Sequence, residues 1–138
     1  MAEPSKPDFA ILGLDHVVLL VRDPEATLRF YCEVLGCTLE KRQEAIGLTQ
    51  LRAGRSLIDL LEPRNAPNHT AATVGRNVDH ICLRIEPFDA AALADHLSAH
   101  GIAHGVVAER NGADGYGPSI YVVDPEGNIV ELKGPPAA

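Results

Sequence analysis

Two short apolar runs carry the same polar insertion. LDHVVLL spans residues 14–20 and VDHICLR spans 78–84, 64 positions apart, and each has a histidine at its third place. Their β-branched and aliphatic content reads as strand. After the first run, Asp23 is placed to cap a helix opening at Pro24. Leu28, Tyr31, Cys32 and Leu35 form an i, i+3, i+4, i+7 stripe, and Gly36 ends it. After the second, Asp89 is the corresponding cap, Ala90, Leu93, Ala94 and Leu97 form the stripe, and Gly101 closes it. Each helix is followed by three strand candidates, at 37–43, 47–53 and 56–62 and then at 103–109, 118–123 and 128–133. Turn residues separate the last two of each set, RAGR at 52–55 and DPEG at 124–127.

The pattern is therefore one βαβββ unit written twice, an α+β arrangement of two tandem modules. Module 1 covers about 11–62 and module 2 about 78–133, within a single domain of 11–133. The stretch 63–77, PRNAPNHTAATVGRN, has neither helical nor alternating period and reads as the linker. Residues 1–10 and 134–138 read as loosely held tails. Offsets between matching features grow from 64 for the histidines to 72 for Asp59 and Glu131, so insertions fall in loops while the element order is kept. A sheet with one helix covers only one of its faces, and two modules side by side are expected to curve their other faces around a common cleft.

Composition narrows the partners. The chain of 138 residues has a formal net charge of -7 and no basic cluster, which argues against nucleic acid and anionic membrane as partners. No apolar run reaches the length of a membrane span, and the first residues lack a signal-peptide centre, so the expected location is the cytoplasm. Cys32, Cys37 and Cys82 are odd in number and lack CxxC spacing, as expected of reduced thiols.

Chemistry concentrates at the repeat. LIDLL sets Asp59 between apolar neighbours near the end of module 1, and IVELK sets Glu131 similarly in module 2. His16, His80, Asp59 and Glu131 are thus one imidazole and one carboxylate per module. This nitrogen and oxygen set suits one divalent ion such as Zn, Ni, Co, Mn or Fe(II). Asp15 and Asp79 precede the histidines and should point to the opposite face, because neighbours on a strand alternate. Cys82 and Arg84 share parity with His80; Cys82 is expected in the core, and Arg84 either ion-paired or holding a substrate carboxylate. Tyr116 and Tyr121 are possible hydrogen-bonding groups. His69, His96, His100 and His104 read as solvated. There is no GxSxG, P-loop or GxGxxG, which removes support for serine hydrolysis and nucleotide binding.

The repeated plan, with GLDHVVLLVRDPEATLRFYCEVLGCTLE, VDHICL and SIYVVDPEGNIVEL, closely resembles the vicinal oxygen chelate superfamily of glyoxalase I, bleomycin-resistance proteins, fosfomycin-resistance proteins and extradiol dioxygenases. The resemblance spans about residues 12–133. It implies that His16, His80 and Glu131 are metal ligands and that Asp59 falls where glyoxalase I has a Glu ligand that also moves a proton. Asp is shorter than Glu by about 1.5 Å, so Asp59 either binds directly, binds through water, acts from behind the ligands or makes no contact.

The implied activity is glyoxalase-like lyase or isomerase chemistry on a small oxygenated metabolite, with Asp59 and Glu131 as the carboxylates available for catalysis. The alternatives are an Fe(II) ring-cleaving dioxygenase, with Tyr121 or His104 as the assisting acid or base, and a drug- or metabolite-binding protein without turnover. A homodimer is expected, with the ligand set within one chain or shared between two.

Overall fold

The structure, a computed structural model, describes residues 8, 12, 14–63, 78 and 80–137. Module 1 runs β1 (His16–Leu20), α1 (Pro24–Arg29, continued by a π-helical turn Phe30–Val34), β2 (Thr38–Gln43), β3 (Leu48–Ala53) and β4 (Ser56–Leu61). Module 2 runs β5 (Ile81–Arg84), α2 (Ala90–Ala99), β6 (Ala108–Arg110), β7 (Gly117–Val123) and β8 (Ile129–Lys133). The two sheets have matching orders, β1-β4-β3-β2 and β5-β8-β7-β6, with β1 parallel to β4 and β5 parallel to β8. The doubled α+β module expected from the sequence is the observed fold.

The caps are those the sequence marks. Asp23 accepts from Ala26 N–H and Asp89 from Ala92 N–H, which satisfies an otherwise orphaned donor in each first turn. The body of the first helix departs from the expected 3.6-residue stripe. Leu35 N–H donates to Phe30 O, and this wider turn brings both Phe30 and Tyr31 into the core while leaving Cys32 half-buried.

Two further expectations are corrected. The strand anticipated at 103–109 is mostly irregular, with only a bridge from His104 to Val122 before the short β6; Gly105 interrupts it with little to pack. Residues 134–137, anticipated as part of a loose C-terminal tail, are tied down, because Gly134 N–H donates to Pro118 O and Ala137 N–H to Tyr116 O. The linker from residue 64 to 77 lies outside the described residues.

One core spans both modules. Leu51, Ile58 and Leu60 of the first sheet and Ile120, Val122, Val130 and Leu132 of the second belong to the same buried cluster as Phe30, Tyr31 and Leu97 of the helices. Docking is fixed by the turn after β7. Tyr31 OH donates to Asp124 Oδ2 at 2.8 Å, while Asp124 also accepts from the N–H groups of Glu126 and Asn128 and from Asn128 Nδ2. Glu126 in turn accepts from Arg22 N–H and Asp23 N–H, at the entry to α1. His96 Nε2 of α2 lies 2.7 Å from Val34 O, so this histidine joins the two helices rather than being merely solvated.

Tyr31→Phe should cost roughly 1.5–3 kcal/mol, the value of a buried hydrogen bond to a charged acceptor. Asp124→Ala should cost more, because it strands four donors; urea unfolding followed by circular dichroism checks the order. Gly117→Ala should destabilise by about 1–3 kcal/mol, since its Cβ would stand 2.6 Å from Pro135 O, a backbone atom. The same titration reads this out, with no loss expected if the terminal residues were loose.

Candidate metal and substrate site

Parity along the strands decides which side chains share a face. On β8, Val130 and Leu132 enter the core, so Glu131 faces the other way. Directly opposite it are Cys82 of β5 and Tyr121 of β7, and Lys133 follows two residues on, opposite Arg84 and Ser119. His80, just before β5, has its Nε2 3.1 Å from Glu131 Oε1, and its ring meets Tyr121 edge-on at 5.4 Å between centroids. Two of the expected ligands are therefore in contact, and Glu131 is buried.

On module 1 the equivalent face carries His16, Val18 and Asp59. His16 pairs with Leu57 and Val18 with Asp59, so His16 and Asp59 are diagonal neighbours. Asp59 is buried and receives a long 3.4 Å hydrogen bond from Gln50 Nε2. Asp15 was expected to point away from His16. Instead its Oδ1 lies 2.6 Å from His16 Nδ1, because β1 begins at His16 and alternation does not reach back to residue 15. That carboxylate, with a smaller contribution from Asp59, holds the imidazole above its ordinary pKa. Asp79 and His69 lie outside the described residues.

His16 and His80 both border a cavity of about 710 Å3 between β1 and β5, the adjacent edges of the two sheets. Among the described residues, however, no three His, Cys, Asp or Glu side chains converge as a metal-binding group within one chain. The site is thus presented as two halves, His80 with Glu131 and His16 near Asp59.

Each half holds a carboxylate oxygen suited to a cation. Glu131 Oε2 and Asp59 Oδ1 are buried without a hydrogen-bond partner. An anionic oxygen in that position is costly unless a donor or a metal ion completes it. The donor chemistry of His80, Glu131, His16 and Asp59 therefore fits a divalent ion.

The surrounding residues sort themselves by contact. Arg84 donates to Glu86 at 2.8 Å, so it is ion-paired. Cys82 was expected in the core, yet it is exposed on the Glu131 face; burial of its sulfur and the Glu131 charge raise its pKa. Cys37 is the buried thiol, pushed up to about 11. Neither thiol has the lowered pKa of a nucleophile. His100 stacks edge-on against His96, and Tyr116 is exposed. His104 and Tyr121 line a second cavity of about 470 Å3 with Val123 and Ile129, on the face that carries Glu131.

Sequence reasoning passed over two residues here. Arg110 lies with its guanidinium carbon 4.5 Å from the centre of the Tyr121 ring. Lys133 is buried, with Nζ donating to the carbonyls of Arg110 and Gly117. The available signal was the parity of Lys133 with Glu131.

Comparison with known proteins agrees with this architecture. The model of the Glyoxalase/Bleomycin resistance protein/Dioxygenase superfamily matches residues 13–132. Virulence protein STM3117 of Salmonella typhimurium is 34% identical over 125 residues, covering 87% of this chain and 82% of that protein. Its crystal structure superposes with a TM-score of 0.78 at 28% identity, over 92% of this chain and 99% of that one. Glyoxalase domain-containing protein RDO1 of Mycosarcoma maydis is 33% identical over 127 residues, 91% of this chain and 69% of that protein. A lactoylglutathione lyase from Agrobacterium tumefaciens shares the fold, with a TM-score of 0.68 at 20% identity over 91% of this chain and 95% of that one.

Proposed function

The chain belongs to the Glyoxalase/Bleomycin resistance protein/Dioxygenase superfamily, and from that premise we propose that it is a divalent-metal-dependent lyase or isomerase acting on a small metabolite through two neighbouring oxygens. The observation that carries this reading is the contact of His80 with the buried Glu131 carboxylate, whose Oε2 has no hydrogen-bond partner. His16 is the third ligand. Because His16 and the His80–Glu131 pair do not converge within the described chain, the complete site forms in a homodimer, where His16 and Asp59 of one chain face His80 and Glu131 of the other.

His16, His80 and Glu131 would hold a divalent ion, which would supply Lewis-acid stabilisation of oxyanion character. The chain's own residues do the rest. Asp59 takes a proton from one substrate carbon and returns it to the adjacent carbon, so the reaction moves one hydrogen with no net loss. Gln50 holds Asp59 Oδ2 and leaves Oδ1 to act as the base. Asp15 fixes the orientation of the His16 ring through Nδ1, leaving Nε2 for the ion. Tyr121 walls the site beside His80. Free thiols at Cys32, Cys37 and Cys82 accord with a reducing, cytoplasmic setting.

One observation favours a second reading. His104 and Tyr121 share a cavity beside the ligand pair, which is where a ring-cleaving Fe(II) dioxygenase needs an acid or base. Asp59 separates the two. Asp59→Asn keeps the shape and removes the base, so it should lower isomerase or lyase turnover of 2-oxoaldehyde adducts by about 10²-fold or more while sparing ring cleavage. Intact adduct turnover in a metal-bound Asp59→Asn protein removes Asp59 as the base. Absence of turnover with Fe(II), Ni, Co, Mn or Zn leaves sequestration of a small molecule as the function.

The metal site is tested by elemental analysis. One ion per chain is expected in the wild type, with severe loss in His16→Ala, His80→Ala and Glu131→Ala. Sharing between chains is tested by mixing. His16→Ala and Glu131→Ala proteins, unfolded and refolded together, should regain metal, because a mixed dimer restores one full set of ligands. Recovery should approach half the wild-type metal content of that mixed dimer. No recovery, or a monomer by light scattering, places the site within one chain.

A further inference from the structure

Arg110 is a guanidinium held in place by groups that do not neutralise it. Its Nη1 donates to Ser119 O at 2.8 Å and to Ser119 Oγ at 2.9 Å, and its guanidinium carbon lies over the ring of Tyr121. Its own carbonyl is pinned by Lys133 Nζ at 2.8 Å, and the same ammonium holds Gly117 O at 3.0 Å, which ties β6 to the start of β7. Among the described residues neither Arg110 nor Lys133 has a carboxylate within ion-pair distance, although Arg110 is half-buried and Lys133 is buried. Paired arginines elsewhere on the chain, Arg42 with Glu25, Arg52 with Glu40 and Arg84 with Glu86, show the usual alternative.

A buried ammonium and a half-buried guanidinium compensated only by carbonyl and hydroxyl dipoles and an aromatic face, with no carboxylate among the described residues, are an incomplete electrostatic arrangement. The missing element is an anion. The place is specific, since Tyr121 stands between Arg110 and the ligand pair, 4.5 Å from the guanidinium carbon and 5.4 Å from the His80 ring.

We propose that Arg110 is the specificity-determining residue of the site and binds an oxyanion of the substrate, a carboxylate or a phosphonate. Resting on the metal reading above, the substrate is then a small acid whose charged group lies on the Ser119 side of its chelated oxygens. On the opposite side it meets Val123 and Ile129, which line the second cavity. Lys133 and Ser119 are positioning residues. They fix the Arg110 backbone and one guanidinium nitrogen, leaving the other donors of the planar fork for a two-point hydrogen bond to an oxyanion. Because the contacts are made before the ligand arrives, little side-chain freedom remains to be lost on binding.

The test is calorimetric titration of the full chain, metal-free and metal-loaded, with three probes that share a ring: benzoate, phenylphosphonate and benzyl alcohol. Both anions should bind the metal-free wild type at least 10-fold more tightly than the neutral alcohol, and the stronger of the two identifies the oxyanion. Arg110→Met should abolish that preference, Arg110→Lys should retain part of it, and both should keep wild-type metal content.

Thermal melting of Arg110→Lys and Ser119→Ala controls for damage to β6. Ser119→Ala is expected to weaken anion binding less than Arg110→Met does. Equal affinity for the alcohol, or anion binding unchanged in a folded Arg110→Met protein, overturns the proposal. So does binding confined to the metal-loaded form and indifferent to residue 110, which would mean direct ligation of the ion. Arg110-dependent binding in a protein that proves to hold no metal would instead sustain this inference and remove the metal reading.

Discussion

The carboxylate of Asp124 is the contact on which the arrangement of the molecule depends. It is buried and accepts hydrogen bonds from two backbone N–H groups of its own turn, from the Asn128 amide and from Tyr31 across the core. A buried charge is tolerable only when so fully satisfied. Its four donors come from the turn of module 2 and the helix of module 1, so satisfying Asp124 requires docking the modules in one way. The cost of leaving it half-satisfied is what makes that docking specific. Burial of the Tyr31 hydroxyl beside this charge raises the phenol pKa far above its ordinary value, keeping it a donor throughout the physiological range.

Docking then decides what the strands can offer. Alternation places Ile58, Leu60, Val130 and Leu132 inward, and the same alternation leaves Asp59 and Glu131 on the faces turned from the core. Those faces are poor in donors, and each carboxylate retains an oxygen without a partner. The energy is therefore spent twice in opposite ways. Asp124 is completed by the protein and holds the fold, whereas Asp59 and Glu131 are left incomplete and are ready for something the chain does not supply.

The cations of module 2 follow the same logic with the sign reversed. Arg42, Arg52 and Arg84 meet acids at the surface, where such pairs contribute little. Arg110, half-buried, and Lys133, buried, meet oxygen dipoles and, for Arg110, the face of Tyr121, but no carboxylate among the described residues. A face with an unsatisfied carboxylate oxygen at its centre and, at its margin, a guanidinium without a carboxylate partner among the described residues is complementary to a ligand that is itself polar and asymmetric.

Much of this was legible in the chain itself. Local rules fix the two βαβββ modules, the Asp23 and Asp89 caps and the common face of His80, Cys82 and Glu131, because strand alternation, helix period and capping act over a few residues. The same rules failed where a contact depends on an element's true boundary. Asp15 escaped alternation by preceding β1, β6 was shorter than its apolar pattern, and the π-helical turn buried Phe30 in place of Cys32. Only the tertiary structure decided that Tyr31 meets Asp124, that Arg110 lies on Tyr121, and that, among the described residues, no three of the expected ligands gather as one group. These depend on how two finished modules pack. Packing is set by the satisfaction of buried groups far apart in sequence, such as Tyr31 and Asp124, and no periodicity along the chain records it.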